Sequence, residues 1–421
     1  MTAGTFQSPG RGSGLFAIMA LMGTYFVLVQ INRSAGGVLA NTLSTTRGLD
    51  PTEIATVIGV MFLAAAAFQI PFGLVYDRYG PRLVVIVSGV IGAAGMAVFA
   101  CAETTTGLTV GRILIGAGHG GVITAIILLA INWAPPDRVA QVTAIVIAAS
   151  GSLGGILATA PLAIALEATG LCISFGALAG VSLLVTGLIA VMVRDHPPGA
   201  TNSLGRHESL IESLRGLWSV VTNRRMWPIF AMATCFSAPF STIGGLWAGP
   251  YLHHVHGLNE ADTGLGLGAL MLAFYVGTAL YGPLDRLFNT RKWVVLGGVV
   301  IMIVSLLVLA IVPGLGLWSA LGLLVVFSAA APFFFTLSAH CRGFVEDSRA
   351  GRAITFVSMM GIATIFALQW FTGLIVETLQ GVDGEGPEFG YRMAFASVAA
   401  FLGLAGAVYL TAQDVKPNPA T

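Results

Sequence analysis

The stretch Gly73-Leu-Val-Tyr-Asp77-Arg78-Tyr-Gly80-Pro-Arg82 is a short polar break between two apolar runs, and a near copy returns as Gly282-Pro-Leu-Asp285-Arg286-Leu-Phe-Asn289-Thr-Arg291-Lys292. Aligning the two Asp-Arg pairs gives an offset of 208 residues. Two further landmarks keep that register within one residue: Gly36-Gly37 recurs as Gly244-Gly245, and Gly48-Leu49 recurs as Gly257-Leu258. The chain is therefore an internal duplication. Duplicated membrane bundles place a binding site between their halves, near the middle of the bilayer. The second copy departs from the first: it takes six steps from Asp285 to Arg291 where the first takes five from Asp77 to Arg82, and it lacks the second glycine.

Outward from this loop the sequence is apolar. Of 421 residues 56% are hydrophobic and only 9% charged, against about 25% charged in a soluble domain. Apolar runs lie near 15–40, 54–75, 83–102, 108–133, 139–166 and 171–193, then near 228–251, 263–284, 293–313, 315–339, 353–376 and 391–412. Each is long enough to cross a hydrocarbon core of about 30 Å as a helix, and too long and too continuously apolar for a barrel strand. The expected fold is an all-α membrane protein of twelve transmembrane helices in two six-helix pseudo-symmetric bundles. Residues 1–14 form a tail, 15–193 the first bundle, 194–226 a linker, 227–412 the second bundle and 413–421 a second tail. In the linker, Leu210, Leu214, Leu217 and Val221 share one helical face while Glu208, Glu212 and Arg215 point elsewhere, which predicts a helix lying on the membrane surface.

Basic residues set the expected orientation. With the N terminus cytoplasmic, sixteen Lys and Arg fall on the cytoplasmic side and only Arg47 and Arg392 on the other, so both termini are expected in the cytoplasm of a multi-pass cell-membrane protein. The polar start leads into a run too long for a cleavable signal core. A net charge of +1 offers no basic footprint for nucleic acid. Four scattered cysteines do not make a secreted disulfide scaffold.

The quoted loop resembles the G-x-x-x-D-R-x-G-x-R signature of the major facilitator superfamily. Gly111-Arg112-Ile-Leu-Ile-Gly116-Ala-Gly118-His119-Gly120 is similar to that superfamily's R-x-x-x-G-x-G-x-G segment. The resemblance implies a solute carrier working by alternating access, with Gly73, Asp77, Arg78, Gly80, Arg82, Asp285 and Arg286 forming gates that hold one face closed through charge pairs and helix-end contacts. A carboxylate at a helix N terminus contributes roughly 0.3 to 2 kcal/mol, enough to bias two near-equal states. The plainer alternative is a positive-inside anchor. The fifth run has Gly151, Gly154, Gly155 and Pro161 but no Gly-Pro step, so the antiporter signature of drug exporters is missing. Gly245-Leu-Trp-Ala-Gly-Pro-Tyr251 looks like a stretch in bacterial uptake-type facilitators placed near nitrate and organic-anion porters.

Only Arg33 and Arg112 carry formal charge well inside the runs, and an intramembrane ionisable residue is a functional-site hypothesis by default. At about 1.5 Å per residue both sit at similar depth in the outer third. Facing one chamber, they would give bidentate geometry for a carboxylate, phosphate or nitrate. Alternatively Arg112 serves helix packing through carbonyls, and Arg33 snorkels outward. Gln30 and Asn32 suggest a polar cavity beside Arg33. His119, seven residues after Arg112, is the one mid-membrane group able to carry a coupling proton, unless it is a helix-interface histidine or the carrier exchanges one anion for another. On the second half Arg33 aligns with Ser241. Ser237, Ser241, Thr242, Tyr275 and Gln369, with the aromatics Trp247, Tyr251 and Trp370, are the expected neutral wall, unless the aromatics simply pack or sit at the interface.

The expected partners are thus a small anionic solute, membrane lipids and a coupling proton or counter-anion, with no cofactor, no metal, no catalytic residue and a monomeric state. A transporter-fold sensor or scaffold without transport, and a uniporter or exporter of a neutral or amphipathic solute, remain the alternatives. A membrane metalloenzyme would need more ligands than His253, His254 and His256 supply at that spacing.

Overall fold

The computed structural model describes residues 9–197, 218, 221–380 and 387–417. Within them twelve helices are long and apolar enough to cross a membrane. These are α1 (Gly14–Ser34), α2 (Pro51–Gln69), α3 (Arg78–Cys101), α4 (Thr105–Trp133), α5 (Val139–Leu157) and α6 (Ala160–Met192) in the first bundle. The second bundle holds α7 (Arg224–His256), α8 (Glu260–Leu287), α9 (Lys292–Ile311), α10 (Leu317–Arg342), α11 (Gly351–Leu379) and α12 (Glu388–Tyr409). The amphipathic linker segment around Leu210, Leu214 and Leu217 lies outside the described residues.

The helix ends follow from their sequence. Asp50 and Glu53 form a capping box at the start of α2, and Asn259 accepts the Asp262 amide at 2.8 Å to start α8. The repeat landmarks Gly48-Leu49 and Gly257-Leu258 are helix stops of one kind. Gly48 and Gly257 take left-handed φ values of 63° and 66°. The following Leu49 and Leu258 amides reach back to the carbonyls of Leu43 and Leu252, as in a Schellman stop. At the quoted loop Gly80 has φ 76°, which lets α3 start almost at once. Its missing counterpart is replaced by Asn289, the one described non-glycine residue with positive φ, 48°. Asn tolerates that region better than other side chains, so the extra residue and the lost glycine of the second copy describe a different route round the same turn.

Two continuous apolar runs are broken. The first run ends as helix at Ser34 and resumes as Gly36–Arg47. The fifth breaks after Leu157, resumes at Ala160 and turns at Gly170, φ 74°, before the chain recrosses the membrane. In α7, residues Ile243–Trp247 form a π-helical turn. Each bundle packs on buried aromatics: Tyr25, Phe99 and Phe175 in the first, Trp247, Tyr251, Tyr391 and Phe395 in the second. Exposed apolar side chains such as Ile145, Leu184, Leu265 and Leu404 face outward, where lipid solvates them, so helix association rests on close packing rather than on burial from water.

Candidate functional site

The two bundles meet most closely at one end, and glycines make the approach possible. A Cβ on Gly36 would overlap the carbonyl oxygen of Gly245, and one on Gly249 would overlap that of Gly37. The glycine pairs that marked the repeat in the sequence thus lie against one another or one turn away. Polar links reinforce this seal: Asn41 donates to Glu260 at 2.7 Å, and the Thr52 amide donates to Glu377 at 3.2 Å. Deeper, the Tyr275 hydroxyl donates to the Gly151 carbonyl at 2.5 Å. Toward the opposite end, which carries the Asp77–Arg82 loop, Phe68, Pro71, Gly73 and Val75 are exposed on the second helix and its continuation, and Gln141, Ala144 and Ala148 on α5.

Arg33 lies three residues before Gly36, about one helical turn from the seal on its loop side. It is half-buried and has no hydrogen-bond or ion-pair partner among the described residues. Gln30 shares its face, packs its Cβ on Gly154 and borders the Tyr275 hydroxyl, with its Oε1 buried and without a hydrogen-bond partner among the described residues. Across the repeat, Ser241 precedes the π-turn and accepts the Gln369 amide on its carbonyl at 2.9 Å. The Gln369 Oε1 is buried without a hydrogen-bond partner among the described residues and sits 3.0 Å from where a Cβ on Gly59 would stand. Gln30, Tyr275, Ser241 and Gln369 therefore come from both bundles at the depth just below the seal. Of the aromatics expected for the wall, Trp370 is 43% exposed and Trp247 is buried, donating to Thr372 at 2.8 Å.

Arg112, Asn32 and His119 do not join this face. Consecutive helical residues diverge by about 100°, so Asn32 turns inward, its amide on the Leu28 carbonyl at 2.9 Å and on the Met96 sulfur. Arg112 is fully buried, stacked over Phe99 at 4.7 Å, with Nη1 on the Asn32 carbonyl at 3.2 Å and near the Met61 sulfur. Its Nε and Nη2 find no partner among the described residues. His119 packs on Gly92 and edge-on to Tyr25, both ring nitrogens buried and without a hydrogen-bond partner among the described residues. The shared chamber expected for both arginines is replaced by a half-buried Arg33 and an Arg112 sealed inside the first bundle.

At the two Asp-Arg loops, Arg78 is exposed over Tyr79 at 5.4 Å, Asp285 pairs with Arg291 of its own loop at 3.7 Å, and Arg286 is exposed. The Asp77 side chain lies outside the described residues. Arg82 works within its own bundle: its amide donates to Asp195 at 2.7 Å and its guanidinium to the Ala190 carbonyl. The second bundle repeats this device. Asp414 accepts the Arg291 and Lys292 amides at 3.2 and 3.1 Å and the Thr290 hydroxyl, while Lys292 Nζ donates to the Leu410 carbonyl at 2.6 Å. Burial works to raise the Asp414 carboxyl, but the Thr290 hydroxyl and the two amides outweigh it and hold the group below its ordinary value. Asp195 and Asp414 went unnoticed in the sequence, where the only signal is an Asp just past the last helix of each half. Tyr76 donates to the Gly121 carbonyl at 2.9 Å, and burial pushes its hydroxyl up, away from ionisation. Of the three histidines ending α7, His253 bonds the Leu258 carbonyl at 2.7 Å, His254 the Tyr391 hydroxyl at 2.8 Å, and His256 packs edge-on to Tyr251.

A profile described as the Major Facilitator Superfamily matches residues 15–274. The chain belongs to this superfamily. Among its relatives, the probable sulfoacetate transporter SauU of Cupriavidus necator is 25% identical over 286 residues, which cover 65% of this chain and 65% of that protein's length. The hexuronate transporter of Bacillus subtilis is 28% identical over 141 residues, 32% of this chain and 33% of its own. A bacterial homologue of the human lysosomal transporter Spinster, solved in an inward-facing and unoccupied conformation, superposes with a TM-score of 0.74 at 17% identity over 96% of this chain and 97% of its own. That likeness shows the superfamily's fold, two six-helix bundles in a multi-pass membrane protein.

Proposed function

We propose that this chain moves a small anionic solute across the cell membrane by alternating access, with Arg33 as the anion contact. The observation that carries the reading is Arg33 itself: a half-buried guanidinium within a membrane span, without an acidic partner among the described residues, one turn below the seal between bundles. A charge placed there without a counter-ion is costly, and a solute carboxylate, sulfonate or similar group would offset that cost through bidentate hydrogen bonds. Gln30 and Tyr275 on one side, and Ser241 and Gln369 on the other, would hold the neutral body of the solute. Relatives named for sulfoacetate and hexuronate, both anions, support the same class.

The positive-inside distribution assigns the Asp77–Arg82 loop and both termini to the cytoplasm. The sealed end then faces outward, and the exposed loop-side surfaces of the second helix and α5 line a path to the cytoplasm. Opening to the other side would break the Gly36–Gly245 contact and the Asn41–Glu260 and Thr52–Glu377 bonds while the gate loops close. Two couplings fit the residues: a proton carried by His119, whose ring is free of hydrogen bonds among the described residues, or exchange of one anion for another on Arg33.

Proteoliposomes loaded with unlabelled organic anion test the proposal. Labelled anion should enter by counterflow in the wild type and fail to do so in Arg33→Ala that has inserted normally. Equal counterflow in the two would end the anion assignment. A protonophore separates the couplings, because it abolishes accumulation driven by a proton and leaves exchange intact.

A further inference from the structure

Two of the four cysteines, far apart in sequence, are neighbours in space. Helix α3 and the part of α6 after the Gly170 turn run antiparallel, and their contacts count off in register. A Cβ on Gly89 would overlap the Thr186 side chain, and the Phe99 and Phe175 rings meet edge-on at 4.8 Å. Moving ten residues along α3 from Gly89 to Phe99 thus moves eleven back along α6 from Thr186 to Phe175. The same register next brings together Cys101, the last residue of α3, and Cys172, two residues past Gly170. Both are exposed. Cys235 and Cys341 are buried in the other bundle.

Both thiols sit at the sealed end, opposite the Asp77–Arg82 loop. On the orientation proposed above this end faces away from the cytoplasm, where disulfides form and persist. We propose that Cys101 and Cys172 form an intramolecular disulfide there, stapling the end of α3 to the start of the last crossing of the first bundle. The bond is made by thiol–disulfide exchange with an external disulfide, either a protein oxidant or a small molecule. One cysteine thiolate attacks it, forming a mixed disulfide and expelling one external thiolate. The second cysteine thiolate then displaces the other external sulfur. One S–S bond forms in the chain and one is lost outside, and the two protons shed by the cysteines end on the two external thiols.

The staple lies within one bundle, so it does not span the moving interface. It does fix the helix ends that position Phe99, which carries the Arg112 guanidinium on one side and Phe175 on the other. This inference rests on the proposed orientation, and the test separates failure of the two.

Full-length protein in its native membrane is lysed in denaturant with N-ethylmaleimide, then reduced and treated with a polyethylene-glycol maleimide. The wild type should gain two adducts after reduction, and Cys101→Ser and Cys172→Ser should each gain none. Blocking of all four thiols by N-ethylmaleimide before reduction would overturn the disulfide. In parallel, intact cells carrying Cys172→Ser are exposed to a membrane-impermeant maleimide. Labelling of Cys101 supports the oxidising face. Labelling only after permeabilisation overturns the orientation, and the disulfide inference with it.

Discussion

At the sealed end the two bundles hold each other, whereas at the loop end each bundle holds itself. The seal consists of backbone on backbone at Gly36–Gly245 and Gly37–Gly249, with Asn41–Glu260 and Thr52–Glu377 across it. The loop end consists of Asp195 on the Arg82 amide in one bundle and Asp414 on the Arg291 and Lys292 amides in the other. Contacts of the second kind travel with their bundle and cost nothing when the bundles rock. On the alternating-access proposal, contacts of the first kind must break. A handful of neutral and charge-assisted hydrogen bonds, each contributing about 0.5 to 3 kcal/mol net, is a barrier that differential binding of a solute to the two states can overcome.

The difference can be broken most severely at the glycines. Gly36→Leu forces the bundles apart where the Gly245 carbonyl now lies, and transport should fall at least tenfold, a change of about 1.4 kcal/mol in barrier, in protein that inserts normally. Uptake at the wild-type rate would mean that the seal is not part of the cycle. Asp77→Asn should slow turnover by roughly a few-fold while leaving solute affinity nearly unchanged, if a helix-end contact of the usual size is lost from the gate. Affinity lost in step with rate would instead place Asp77 at the binding site.

Asp414→Asn sharpens the other side of the comparison. It weakens a contact inside one bundle, so the melting temperature should drop by the equivalent of roughly 1 kcal/mol while the ratio of inward to outward states stays put. Because the folded protein holds this carboxyl below its ordinary value, its contribution is present above the unfolded pKa of about 4. It fades as pH falls through the lower folded value. The gap in stability between wild type and variant should therefore close in strong acid and be full at neutral pH. The smallest effect is expected from Glu260→Gln, since the Gln carbonyl still accepts from Asn41; a change in uptake of less than about threefold fits a bond of that strength, and complete loss would give Glu260 a role beyond the seal.

The twelve crossings were legible because lipid demands long apolar runs, and the duplication because Gly36-Gly37, Gly48-Leu49 and Asp77-Arg78 each do a job that both halves need: close approach, helix stop and loop. Gly80 was legible for the same reason, as a turn with only one easy solution. Asn289 was less so, because a second residue type solves the turn by another route. The face of Arg112 was not legible. Helical periodicity places it on one side with His119, but which neighbour that side meets depends on Phe99, Met61 and the Asn32 carbonyl, three separate helices away in sequence. Asp195, Asp414 and the Cys101–Cys172 pair escaped for the same reason: their partners lie 63 or more residues away in sequence.

The most direct test of the central claim compares ligand-induced thermal stabilisation in the wild type, Arg33→Ala and Arg112→Ala across a panel of small carboxylates and sulfonates. An anion site on Arg33 predicts that at least one anion raises the wild-type melting temperature and has no effect on Arg33→Ala. Arg112→Ala should melt lower from the outset yet still respond to the anion. An equal response from Arg33→Ala would contradict the claim.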